Sequence, residues 1–124
     1  TRWTDVTGVQ TCALPISYLR DIQESARLAI SYLEGVGLES FTADTRLQDA
    51  VIRRIEIIGE AARRVPEETR AAYPSIPWRL MIGMRNQVVH MYDGVDLHVV
   101  WATVREDLPA LLDAIAAILG REDA

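Results

Sequence analysis

Between residues 45 and 65, Leu47, Val51, Ile55, Ile58, Ala62 and Val65 recur at steps of three and four residues. That spacing puts all six on one stripe of an α-helix and on both faces of a strand, so the segment is helical. Arg53, Arg54, Glu56, Glu60, Arg63 and Arg64 take up the rest of the circumference. A helix with one apolar stripe must bury it against other elements. Ile52 and Gly59 lie off the main seam. A glycine there would let a second surface pack closely.

The neighbouring segments supply partners of the same kind. Leu19, Ile22, Ala26, Ile30 and Leu33 predict a helix over residues 18–34, ended by Gly35 and Gly37. Residues 38–44 read as a short connection. Pro66 stops the helix over 45–65, and 67–72 suits a short helical turn. Tyr73-Pro74-Ser75-Ile76-Pro77 reads as a loop, because each residue before a proline is pushed towards extended geometry. A third helix is expected over 77–91, with Leu80, Met84, Val88 and Met91 buried. Asp93-Gly94 signals a turn. Asp96 then suits the N-cap of a fourth helix over 96–119. Its stripe is Leu97, Val100 or Trp101, Val104, Leu108, Leu111, Ile115 and Ile118. Pro109 should bend or break that helix, since it cannot donate to the Arg105 carbonyl. No strand-period segment or internal repeat stands out. The expected fold is all-α, an antiparallel four-helix bundle forming one domain over residues 18–120, with a short tail at 121–124.

Residues 1–17 have no apolar period. The run Val6-Thr7-Gly8-Val9-Gln10-Thr11-Cys12-Ala13-Leu14-Pro15-Ile16 resembles the translation of a sequencing-adapter oligonucleotide, so 1–17 is expected to be non-native sequence or a disordered tail. Cys12 is the one cysteine, which rules out an internal disulfide, and no function is expected of it. His90 and His98 match no common metal-ligand spacing, and no metal or cofactor is expected. No apolar run is long enough to span a bilayer, and no signal peptide is recognisable, so no membrane partner and a cytoplasmic location are expected. A net charge of −5 argues against broad coating of nucleic acid. It leaves room for a local phosphate site, and all 13 basic residues are arginine, whose planar fork of donors suits phosphate.

Chemistry concentrates in Gly83-Met84-Arg85-Asn86-Gln87-Val88-Val89-His90-Met91-Tyr92. Asn86 and His90 are one helical turn apart, so the amide can hydrogen-bond the imidazole and fix its tautomer. Arg85 is about 100° round from Asn86, and its long side chain can reach the same mouth. The C-terminal end of the helix dipole favours a protonated imidazole, which suits acid–base work. Spacing alone leaves open a surface arginine beside a capping histidine.

Arg85-Asn86-Gln87-Val88-Val89-His90 is similar to the Arg-Asn-x-x-x-His signature of HEPN-superfamily nucleases. The chain more closely resembles the HepT-like toxins of MntA–HepT toxin–antitoxin pairs. The resemblance runs over residues 18–119. It is carried by Tyr18-Leu19-x-Asp21-Ile22, Gln48-Asp49-Ala50-Val51-Ile52-Arg53, Ile57-Ile58-Gly59-Glu60-Ala61-Ala62, Ile76-Pro77-Trp78, Met81-Ile82-Gly83-Met84-Arg85-Asn86 and Gly94-Val95-Asp96-x-x-x-Val100-Trp101. It implies a HEPN-like bundle and a type VII-like toxin that cleaves tRNA or other cellular RNA without metal. Arg85 would hold the scissile phosphate, His90 would move protons, and Asn86 would orient the site. It also implies a homodimer whose two Arg–His pairs meet across the interface. Tyr92, in Arg-x4-His-x-Tyr, would be the tyrosine that a cognate MntA-like nucleotidyltransferase antitoxin modifies with AMP. The alternative is a non-catalytic dimeric binding partner of a nucleotidyltransferase.

Other residues carry weaker expectations. Trp78 and Trp101 are read as core residues in preference to base-stacking ones. Glu60 with Gly59 either lines a dimer face or is a solvated glutamate beside a glycine. Arg53, Arg54, Arg63 and Arg64 are read as partners of neighbouring glutamates in preference to an RNA-facing strip. Asp93 and Asp96 are read as turn and cap, and His98 has no assigned role.

Overall fold

A computed structural model of the chain describes residues 7–90 and 96–123, with side chains over 16–85 and 96–121. The elements are α1 (Thr7–Tyr32), α2 (Leu38–Thr42), α3 (Thr45–Arg64), α4 (Glu67–Ala72), α5 (Trp78–His90), α6 (Leu97–Ala102), a π-helical turn (Thr103–Asp107) and α7 (Leu108–Asp123). The π turn joins α6 to α7, so four long rods form an all-α, antiparallel bundle, with no strand among the described residues. α3 lies between α1 and α5, and α1 packs in turn against α7.

The stripe of α3 is buried as its spacing dictates. Val51, Ile55, Ile58, Ala62 and Val65 are at most 1% exposed, while Leu47 is half-buried at the outer end. They meet Leu19, Ile22, Ala26, Ala29 and Leu33 of α1 and its C-terminal end, and Val104, Leu108, Leu111, Ile115 and Ile118 from the last rod. Ala29 takes the buried place expected of Ile30, which packs at the margin. α1 begins at Thr7 rather than at residue 18. A helix already nucleated by packing can propagate outwards without an apolar stripe, so the missing period in this segment gave no sign of it.

Three further departures have local causes. Residues 38–44 were expected as a plain connection but hold α2, anchored by fully buried Phe41. Gln48 donates from Nε2 to the Phe41 and Thr42 carbonyls at 2.9 and 3.1 Å, satisfying the end of α2. Pro109 neither breaks nor ends its helix. The Leu108 N–H bonds the Thr103 carbonyl five residues back, and this wider turn takes up the lost bond just before the proline. The buried stripe of α5 is the third departure. Leu80 is 45% exposed, and Met81 and Met84 are the buried residues. The indole of Trp78 sets this phase, because its Nε1 donates to the carbonyls of Arg70 and Tyr73 at 3.1 and 3.0 Å. With Trp78 turned inwards, Met81, three places on and about 60° round the helix, faces inwards too, whereas Leu80 does not. Val88 and Met91, also expected in the stripe, have side chains outside the described residues.

Helix ends are closed by side chains, some from the residue just before the helix and some from elsewhere in the chain. Asp96 caps α6 by accepting from the His98 and Val99 N–H groups at 3.0 and 3.3 Å, as its position before the stripe predicted. Asp44 does the same for α3 through the Leu47 N–H at 3.1 Å. After α1 the chain turns through Gly35, whose φ of 73° is costly for residues bearing a Cβ. Beyond that turn, Trp101 donates from Nε1 to the Val36 carbonyl at 3.1 Å, and Arg105 donates to the Leu33 carbonyl at 3.1 Å. The Arg105 guanidinium lies 5.2 Å from the Trp101 ring centroid. Trp78 is buried, in line with its reading as core, while Trp101 is partly buried against the core and ties down the turn after α1.

Gly59 is buried where α3 meets α5. A Cβ added there would collide with the Arg85 Cβ and lie 2.9 Å from both the Arg85 Cγ and the Met81 carbonyl oxygen. Backbone and stem atoms cannot move aside cheaply, so Gly59→Ala should force the two helices apart. We expect a loss of about 1–3 kcal/mol in urea denaturation, the usual cost of overpacking. Trp101→Phe should cost about 1 kcal/mol by the same measurement, by leaving the Val36 carbonyl without the indole donor.

Candidate active site

Arg85 stands on α5 one turn after buried Met81 and next to buried Met84. Because the α5 stripe runs through Met81 rather than Leu80, Arg85 lies at the edge of the buried face, turned towards α3. Its Nη2 is 3.3 Å from Glu60 Oε2. The other carboxylate oxygen, Oε1, accepts from Arg64 Nη2 at 3.3 Å and lies 3.8 Å from Arg63 Nη2. The Arg85 side chain is 26% exposed and that of Glu60 36%, so the pair is partly shielded from water.

This pair forms one wall of a groove of about 390 Å³ between α1, α3 and α5. Tyr18 and Asp21 come from α1; Arg53, Glu56, Glu60 and Arg64 come from α3. The lining mixes three arginines with three carboxylates, so the groove is polar and locally charged without being uniformly basic. Among the described residues no three His, Cys, Asp or Glu side chains gather as a metal cluster, and no helix is long and apolar enough to cross a membrane.

The expected site residues fare differently. Arg85 is placed at the groove. Asn86 and His90 lie on α5, whose backbone is helical through His90, one turn apart; their side chains are outside the described residues. Tyr92 and Asp93 lie outside the described residues altogether, as does the side chain of Cys12. Arg63 and Arg64 pair with Glu60, in line with their reading as glutamate partners. Gly59 faces α5 of its own chain, so the surface that its missing side chain admits is intramolecular, and in this protomer it lines no external face. Glu60 is half-buried and bridges three arginines.

Tyr18, Asp21 and Glu56 had no assigned role, and Arg53 was read as a glutamate partner, yet all four line the same groove as Arg85. A usable signal was present for most of them. Tyr18, Asp21, Arg53 and Glu60 are polar members of the recognised stretches, and the helical period excludes each from its core stripe. Polar residues barred from the core but belonging to a shared pattern are candidates for a common surface.

Comparisons with known proteins identify the family. The family model described as Ribonuclease HepT-like matches residues 22–118. A Thermococcus cleftensis protein named "Probable ribonuclease HepT" is 45% identical over 94 residues, covering 76% of this chain and 86% of its own. A candidate RNase of Caldanaerobacter subterraneus subsp. tengcongensis is 34% identical over 108 residues, covering 87% and 96%. A candidate RNase of Methanocaldococcus jannaschii is 38% identical over 95 residues, covering 77% and 87%. No solved structure matches. The matched span takes in most of the buried stripes, the α3 and α5 sides of the groove and the Arg85–His90 segment, and the chain belongs to the HepT-like ribonuclease family.

Proposed function

We propose that the protein is a metal-independent ribonuclease, the toxin of a type VII-like toxin–antitoxin pair, acting in the cytoplasm on tRNA or another cellular RNA. The observation that carries this reading is the placement of Arg85, a guanidinium held at the rim of a polar groove in a chain of ribonuclease family. In the proposed reaction Arg85 binds the non-bridging oxygens of the scissile phosphate and stabilises the charge that grows on them. His90 takes the proton of the neighbouring 2′-hydroxyl. The 2′-oxygen forms its bond to phosphorus as the bond to the leaving 5′-oxygen breaks, and a protonated imidazole supplies the proton that this oxygen needs. Asn86, one turn before His90, orients the imidazole.

One arginine and one histidine are a sparse site for a phosphodiester. The proposal therefore includes a homodimer in which two Arg85–His90 pairs converge, one imidazole serving as base and the other as acid. It also includes control through Tyr92. Attack of the Tyr92 hydroxyl on the α-phosphorus of ATP, catalysed by an MntA-like nucleotidyltransferase, would release pyrophosphate and leave AMP beside the catalytic residues. The added bulk and negative charge would exclude an RNA phosphate.

Purified protein incubated with total tRNA in EDTA should produce discrete fragments on a denaturing gel. His90→Ala and Arg85→Ala should each lower the cleavage rate by about 100-fold or more while the protein stays folded, the scale expected for losing a general acid–base or a charge-stabilising group. Intact RNA with the folded, dimeric parent would refute the nuclease reading and favour a binding partner of a nucleotidyltransferase.

A further inference from the structure

We propose that Gly59 and Glu60 together form a seat on α3 that positions Arg85 for its phosphate, so that Glu60 is a positioning residue of the ribonuclease site. The inference rests on the catalytic reading of Arg85 for its purpose, but the seat itself rests on geometry. Two adjacent residues act on two parts of one side chain. At Gly59 the Arg85 Cβ and Cγ lie where a side chain on α3 would otherwise be, so the stem of Arg85 runs directly against the α3 backbone. One residue on, the Glu60 carboxylate takes the far end of that side chain at 3.3 Å. Stem and head are thus fixed by neighbouring positions of the same helix.

Glu60 is itself oriented. Its Oε1 is held by Arg64 at 3.3 Å with Arg63 at 3.8 Å, which leaves Oε2 directed at Arg85. An ordinary surface pair joins two mobile side chains and fixes neither. Here Arg85 is itself partly shielded and its stem is packed against α3, while Arg63 and Arg64 contact the other oxygen of the same carboxylate from exposed positions. Three guanidiniums share this carboxylate, so pairing with Glu60 does not cancel the positive charge next to Arg85, although Asp21 and Glu56 keep the groove as a whole from being basic. The Nη2 contact with Glu60 engages one end of a planar fork of five donors, a geometry in which one guanidinium can hold a carboxylate and a phosphate oxygen together. A flexible arginine would have to be ordered in each catalytic cycle, whereas one already seated is close to its working geometry.

The test uses the full-length protein, Glu60→Gln, Arg85→Ala and the double variant. In the parent, the Arg85 Nε–H resonance, assigned by its loss in Arg85→Lys, should exchange slowly with water. Glu60→Gln should speed that exchange while leaving the melting temperature within a few degrees, because the pair is partly exposed. On RNA, Glu60→Gln should lower kcat by about 10- to 100-fold, the scale of a small misplacement of a catalytic group. In the Arg85→Ala background the same substitution should cause no further loss, because both changes act on one interaction. An unchanged Arg85 resonance and unchanged kcat in Glu60→Gln would overturn the inference, as would a loss that persists without Arg85. If the parent cleaves no RNA, the nuclease reading falls, and the Arg85 exchange rate alone decides whether the seat exists. Should Glu60→Gln fail to fold, Glu60→Asp, which keeps the charge but shortens its reach, carries the same expectations.

Discussion

The contact between α3 and α5 at Gly59 is the constraint on which the arrangement of the groove depends. Two helices bearing ordinary side chains at their crossing pack about 8–10 Å apart. Gly59 removes a side chain from that crossing, and the Arg85 stem and the Met81 carbonyl fill the space it vacates. The phase that the Trp78 indole gives α5 buries Met81 and Met84 and brings the Arg85 stem to this crossing. Arg85 then has one place to go, along the α3 backbone towards Glu60. A packing requirement in the bundle thereby becomes the placement of the residue best suited to hold phosphate.

The patterned stretches that mark the family divide into two physical kinds. Some build the scaffold by closing helix ends. Gln48 satisfies carbonyls after α2, Trp78 those at and beyond the end of α4, and Trp101 with Arg105 those at the end of α1. Each uses a side-chain N–H for a carbonyl that an isolated helix would leave to water. The other kind lines the groove: Tyr18 and Asp21 on α1, Arg53 and Glu60 on α3, and Arg85 on α5. The capped ends fix how the rods meet, and the rods bring the groove residues together from positions far apart in sequence.

The sequence was most informative where one stripe dominated. The α3 seam and the seam of the last rod were legible almost residue for residue, because each is long and its partners are apolar. The α5 stripe was less so. Leu80 and Met81 fit a helical seam about equally well by hydropathy, and the choice was made by the Trp78 indole bonding carbonyls of the preceding segment, a tertiary fact. The helix anchored by Phe41 depended on burial against the bundle, and the π turn before Pro109 on a local shift of backbone hydrogen bonds that leaves no periodic trace. For the site, Arg85 was legible as chemistry and by resemblance. Its partner Glu60 was visible only as a charge beside a glycine, because an i, i+25 pairing between two helices leaves no periodic trace. Asn86 and His90 keep their one-turn spacing on α5, and their roles with Tyr92 rest on the motif.

A crystal structure of the protein with an RNA made uncleavable by 2′-O-methyl groups tests the account most directly. The account predicts a phosphate within hydrogen-bond distance of the Arg85 guanidinium while Glu60 still holds that guanidinium, with Gly59 in contact with the Arg85 stem. An RNA phosphate bound elsewhere, or an Arg85 swung away from Glu60 to reach it, would contradict the claim that this helix crossing sets the catalytic arginine.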